Sequence, residues 1–357
     1  MTPRRILLCL ASLAGCAPAA PTPVAAPARG QRISIIAAER GPLGARLIAI
    51  DERGDRRFEL VRSPDSIVRD THPVVSPDGR WLVFASSRGR TLAATNLWIA
   101  PLAADSEPTP LTHGPSIDSH PVWTRDGTAI VFASTRDGGD FDLFRLAIDR
   151  GRPRGEPVQL TDGSGHEVTP APGADGSIVY AAITPLAGGE VESHLELRAP
   201  DGTITRLTAG PADTSPALSP DDRTIAFARP KAHGGSPDAE LWTMPLHGAE
   251  LATPLVDLPL TDESGPVWSP DGRYVFATSL LRGAAGNPMF SSVIVIDTRG
   301  RPPRARLLQD RVGAAVRLTP ALTRAPLDDT ALASDPEYLP ELARIVAKAM
   351  AAQKQVP

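Results

Sequence analysis

Five carboxylates and one guanidinium recur at a single place in a repeated phrase: Asp70, Asp118, Glu167, Asp213 and Glu263, with Arg317 in the last and most worn copy. Each stands three residues before an aligned proline, Pro73, Pro121, Pro170, Pro216, Pro266 and Pro320, at steps of 48, 49, 46, 50 and 54 residues. Carboxylates gathered at one mouth of a closed fold can hold an Arg or Lys side chain of a partner peptide through charge-assisted hydrogen bonds. His72 and His120 directly precede two of the prolines, and His166 precedes Glu167, so imidazoles approach the same place. With the acids they could ligate a divalent metal, although their spacing is that of a repeat and not of a compact ligand motif.

A mostly basic set answers the acids. Four residues past the aligned aromatic or aliphatic of the next strand come Arg40, Arg88, Arg136 and Lys231, interrupted by Thr184 and Leu280. The start of one strand and the end of the next share an edge in an antiparallel pair, so the two sets face each other. Repetition favours ion pairs that brace the scaffold, because a scaffold contact must recur while a site need not. The irregularities favour a ligand site: Glu167 and Glu263 lack a basic mate and are the carboxylates left to meet a ligand. No Gly-x-Ser-x-Gly elbow and no phosphate-binding glycine loop occurs, so no catalytic residue and no cofactor is expected.

The elements that position these residues repeat with them. The phrase reads His72-Pro73-Val74-Val75-Ser76-Pro77-Asp78-Gly79 and returns as His120 to Gly127, Thr169 to Gly176, Ser215 to Asp222 and Gly265 to Gly272. After each Pro-Asp-Gly turn comes an apolar strand such as Trp81 to Ala85, then a third strand such as Asn96 to Ile99, then a fourth ending in Leu-Thr. Four short antiparallel strands in a period near 48 residues make one propeller blade. In the turn the Asp bonds its own backbone and the Gly takes positive φ, which makes these aspartates structural. The segment from Ile33 to Arg62 supplies a second, third and fourth strand without a first, and the missing strand sits at Pro320. Joining the two ends in one blade closes a ring of six and leaves no open sheet edge. The expected fold is therefore an all-β, six-bladed propeller with a terminal closure.

Ser-Pro-Asp-Gly after a Pro-Val-Trp strand, Phe-Ala-Ser-Ser-Arg and Phe-Ala-Ser-Thr-Arg after the second strand, Leu-Trp in the third and Leu-Thr in the fourth resemble TolB-type propeller repeats. The resemblance covers nearly all of the chain beyond its leader. It implies a propeller in the cell envelope that binds protein or peptide partners, often through its central channel, without catalysis of its own. The small N-terminal domain that TolB carries is missing here. A more distant resemblance, to propeller lyases acting on pectic oligosaccharides, implies the alternative of an enzyme or carbohydrate-binding protein using the His and acid ring with a divalent metal.

The first fifteen residues read as an export signal: Arg4 and Arg5, the short apolar run Ile6 to Ala11, then Leu13-Ala14-Gly15 before Cys16. That tetrad resembles a bacterial lipobox, which implies lipidation of Cys16, an outer-membrane anchor facing the periplasm, and contact with membrane through the lipid alone; surface exposure stays open. Cys9 falls in the leader, so the mature chain has no second cysteine for a disulfide. Cleavage leaves 35 basic against 41 acidic side chains, a balance of −6, with no basic patch that would track nucleic acid. Residues 16–30 alternate Ala and Pro as an extended tether, the propeller takes 31–325, and 326–357 form a tail. In that tail Asp335-Pro336-Glu337 caps an amphipathic helix with Leu339, Leu342, Ile345, Val346 and Met350 on one stripe. Trp98, Phe144 and Trp242, at one place in the third strands, are expected in the core between blades of a monomer.

Overall fold

The computed structural model describes residues 34–334 apart from 42–43, 52–56, 65–66, 188–189, 211, 231–238, 248–250, 257, 259–260, 283–287, 301 and 309–315, together with 340 and 344. The leader, the tether with Cys16, Lys231 and nearly all of the Asp335 to Met350 stripe lie outside these residues. Among the described residues are 24 strands, numbered along the chain, in six sheets of four. Blade one is built from β4 (Asp70–Val75), β5 (Trp81–Ser86), β6 (Asn96–Pro101) and β7 (Thr109–Pro110), paired in that order. The first strands of the next four blades are β8 (Asp118–Trp123), β12 (His166–Pro172), β16 (Thr214–Leu218) and β20 (Thr261–Trp268).

Blade six is made by both ends of the chain. β24 (Val316–Leu322) is its first strand and pairs with β1 (Ile35–Gly41), which pairs in turn with β2 (Gly44–Ile50) and β3 (Arg57–Glu59). The ends meet where Thr323 N donates to Ser34 O at 3.0 Å. Each first strand touches the first strand of the next blade, and β20 touches β24, so these strands form a closed inner ring.

The core is distributed over the six seams between neighbouring blades. Strand alternation explains this. Leu82 and Phe84 of β5 pack into the seam with blade six, whereas Val83 and Ala85 pack into the seam with blade two. Phe144 is fully buried between blades one and two, and Trp98 and Trp242 pack at the margins of their seams, as the periodic aromatics suggested. Helix α1 (Asp329–Ser334) starts a few residues before the cap read from the sequence, and its Leu332 is buried in the seam between blades five and six.

Candidate binding site at the channel mouth

The ring acids sit at the starts of the first strands, and the chain buries them. Asp70, Asp118, Asp213 and Glu263 are at most 1% exposed and Glu167 is 6% exposed. Buried carboxylates need partners, and each finds them differently. Asp118 Oδ1 accepts from Ser134 Oγ at 2.6 Å and Arg136 Nη2 at 2.8 Å, while Oδ2 accepts from Asn96 Nδ2 at 3.2 Å and Thr112 Oγ1 at 2.5 Å. The last two donors belong to blade one, so this acid ties two blades together. Asp70 accepts from Ser86 Oγ at 2.5 Å and Arg88 Nη2 at 2.6 Å, yet burial still pushes its carboxyl above the ordinary range.

Asp213 takes both arms of one guanidinium, Arg229 Nε at 2.7 Å and Nη2 at 2.8 Å. This corrects the expected mate, Lys231, which lies outside the described residues. Arg229 reaches in from within the second strand, sixteen residues past its acid, the place held by Ser86 and Ser134 in blades one and two. Glu167 meets a second carboxyl instead of a cation. Burial, then the hydrogen bond and charge of Asp142 from blade two, push Glu167 up to about 8, so the pair holds a proton at neutral pH. Glu263 accepts from Ser279 Oγ at 3.0 Å and is fully buried. Neither Glu167 nor Glu263 stands as an open carboxylate.

In blade six the charges are exchanged: Glu39 of β1 stands in register with Arg317 of β24 and accepts from Arg57 Nε at 3.1 Å. Arg40 is exposed and in register with Val316. Glycines let the preceding loops close over two of the acids. A Cβ at Gly163 would stand 2.4 Å from Glu167 Oε1, and one at Gly210 would stand 2.5 Å from Asp213 Oδ2.

Two residues further along each first strand lies a feature with no signal in the sequence. His72, His120, Thr169, Ser215 and Gly265, each just before the aligned proline, have φ of 50°, 49°, 52°, 54° and 60°. The pairing register shifts across the same step in all five blades. These are β-bulges held in the left-handed region, a conformation that costs free energy at every position except Gly265 and that re-aims the side chain. The rings of His72 and His120 meet at 4.1 Å between centroids although they come from adjacent blades, so bulge residues converge on the axis. His120 has Ser119 Oγ at 2.6 Å from Nδ1, and burial holds its imidazole down at about 4. Burial and the neighbouring His120 and Arg69 hold His72 well below its usual range, so both rings are neutral at pH 7. His166 turns away to Phe141, whose N–H donates to its Nδ1 at 3.1 Å. Among the described residues no three His, Cys, Asp or Glu side chains converge as a metal site.

The other mouth is framed by the Pro-Asp-Gly turns. Asp78 accepts from Ser76 Oγ and from Arg80 N, which holds its carboxyl low, and Gly79 has φ of 71°. Asp222 takes the left-handed place of that glycine in blade four, with φ of 54°. Arg125 Nη2, from the turn of blade two, donates to Ser219 O at 2.9 Å and Asp222 Oδ1 at 2.8 Å, while Ala174 N of blade three donates to Asp222 Oδ2 at 2.7 Å. This mouth is therefore laced across. At the acid mouth the loops instead expose Ile67, Leu92, Leu186 and Val191, at 51%, 43%, 43% and 58%.

A closed ring of six four-stranded blades, with buried acids at one mouth and laced turns at the other, defines a six-bladed β-propeller. The chain belongs to the family of PD40, the TolB beta propeller domain, whose model matches residues 68–248. Among solved structures it is similar to TolB from Acinetobacter baumannii, at 18% identity and a TM-score of 0.64 over 82% of this chain. The match spans 66% of that protein's length. A structure assigned as TolB from Agrobacterium tumefaciens matches at 19% identity and a TM-score of 0.59, over 83% of this chain and 99% of that one. Hydrazine synthase of Kuenenia stuttgartiensis shares the fold at 14% identity and a TM-score of 0.62, over 82% of this chain and 47% of that one. A comparison with curated proteins gives no match. No helix among the described residues is long and apolar enough to cross a membrane.

Proposed function

We propose that this chain is a non-enzymatic protein- or peptide-binding module of the cell envelope, held at the periplasmic side of the outer membrane through a lipid on Cys16. The observation that carries the binding reading is the set of left-handed bulges inside the acid mouth, led by the touching His72 and His120. Strained backbone kept at one step in five blades, where regular pairing would cost less, is a feature of sites that present side chains to a ligand. The buried acids frame the mouth and hold its shape. Contact with a partner falls to the bulge residues and to the apolar loop tips Ile67, Leu92, Leu186 and Val191, which surround that mouth. An extended segment entering there meets polar groups on the axis and apolar groups on the rim, a pattern that suits a peptide.

The test is site-directed photocrosslinking in the native envelope, with the crosslinker placed at Leu92, at Leu186, or at Leu251 near the laced mouth. One shared partner captured from Leu92 and Leu186 but not from Leu251 is expected. Capture only from Leu251, or none from the acid mouth, would sink this reading.

A further inference from the structure

Away from the mouth, the chain between Arg299 and Arg306 reads Arg-Gly-Arg-Pro-Pro-Arg-Ala-Arg, the densest run of cations in the sequence. It leads into the outer strand of blade five. There β21 (Tyr274–Arg282), β22 (Pro288–Asp297) and β23 (Arg304–Leu307) place Tyr274, Asp297 and Arg304 in one cross-strand row and Phe276, Val295 and Arg306 in the next. Residues in register share a face, and Tyr274, Phe276 and Val295 show which one: they pack toward blade six with Leu332 of α1. Where that face reaches the edge of the blade it encloses a cavity of about 340 Å³, walled by Tyr274, Val295 and Leu332 and rimmed by Arg273, Arg304 and Arg306.

Arg273 is fixed in place. Its Nε and Nη2 donate to Asp297 Oδ2 at 3.2 and 3.0 Å, its Nη1 donates to Asp329 Oδ2 at 2.5 Å, and its guanidinium lies 4.7 Å from the centre of the Tyr274 ring. Three guanidiniums around one lining carboxylate, Asp297, leave the cavity cationic in a chain whose overall charge is negative. An arginine fork matches the oxygens of phosphate two at a time, and neighbouring forks suit a dianion better than a single carboxylate. An apolar wall behind a cationic rim suits a ligand with a body as well as a charge.

We propose that this cavity binds an organic phosphate, its phosphate on Arg304 and Arg306 and its apolar body against Tyr274, Val295 and Leu332. The phosphate belongs either to a soluble metabolite or to a lipid headgroup. The experiment titrates the full chain with phenyl phosphate, with glycerol 3-phosphate and with a short-chain phosphatidic acid below its micelle concentration, beside the R304A/R306A variant. Binding of at least one probe, weakened about tenfold or more in R304A/R306A, is expected. Tight binding of the short-chain lipid with none of glycerol 3-phosphate assigns the site to a headgroup, and the reverse assigns it to a soluble phosphate. The R304K/R306K variant keeps the charge and loses the forks, so it is expected to bind with intermediate affinity, and it gives the readout should the alanine variant fold poorly. No binding of any probe at millimolar concentration, or binding equal in all three proteins, overturns the proposal.

Discussion

Arg125 and Asp222 are joined across the turn-side mouth, Nη2 to Oδ1 at 2.8 Å, although one belongs to blade two and the other to blade four. The contact passes over blade three, whose Ala174 N–H donates to the other oxygen of the same carboxylate. Three blades thus share one half-buried acid. Arg125→Ala is expected to cost only about 1 kcal/mol, because the pair is partly exposed and screened. Its signature is local: amide exchange at 219–222 and at 174 should quicken while the other turns stay protected. Uniform quickening in all turns would show that the contact is no clamp.

Asp118 is a different case, since four donors from two blades converge on a side chain with no exposure. Asp118→Ala leaves Arg136 and three neutral donors facing a void, and a loss of about 3 kcal/mol or more in denaturant unfolding is expected. Arg136→Ala should cost less, because Ser134, Asn96 and Thr112 still satisfy the carboxylate. Equal losses in the two variants would contradict the hub assigned to Asp118.

The Asp142 and Glu167 pair makes stability depend on pH in an unusual direction. An unfolded Glu167 titrates near 4.5, whereas the folded one holds its proton until about 8. Between these values the folded state binds more protons, so stability falls as pH rises through that window. Asp142 is also raised, by burial first, and acts in the same sense. Asp140, Asp162 and Glu196 face the pair and add repulsion, while Thr161 donates to Glu167. Glu167→Gln removes the titrating group, and melting temperatures between pH 5 and 8.5 should then flatten. An unchanged slope would place the proton elsewhere.

Lipidation at Cys16 has a direct check. Wild type should carry a fatty-acid probe, and Cys16→Ser should not. A labelled serine variant would refute the lipobox.

The blades were legible because their signals are local. A proline phrase, a turn and two apolar strands recur in sequence order, and strand alternation then dictates which residues enter which seam. Blade six followed from the same arithmetic, with Pro320 supplying the first strand that the N-terminal segment lacks. The acids were legible as a set, and Arg88 and Arg136 as mates of Asp70 and Asp118. Arg229 was not, because a mate may come from within the second strand or from beyond its end, and spacing alone does not choose. Asp142 lies opposite Glu167 only once two blades are packed, so nothing near either residue marks the pair. The left-handed bulges hide for another reason: His, Thr, Ser and Gly share no chemistry at that step, only a backbone conformation.

The closure of blade six also gives the ring a polarity. Ile35, the first residue of β1, pairs with Leu322 at the turn-side edge, while Glu39 pairs with Arg317 at the acid edge. The chain therefore enters the propeller on the face of the laced turns and of the arginine cavity, and it leaves β24 on that same face. An anchor upstream of Ile35 would draw that face toward the surface that holds it and leave the acid mouth pointing outward, away from the lipid and open to whatever diffuses past.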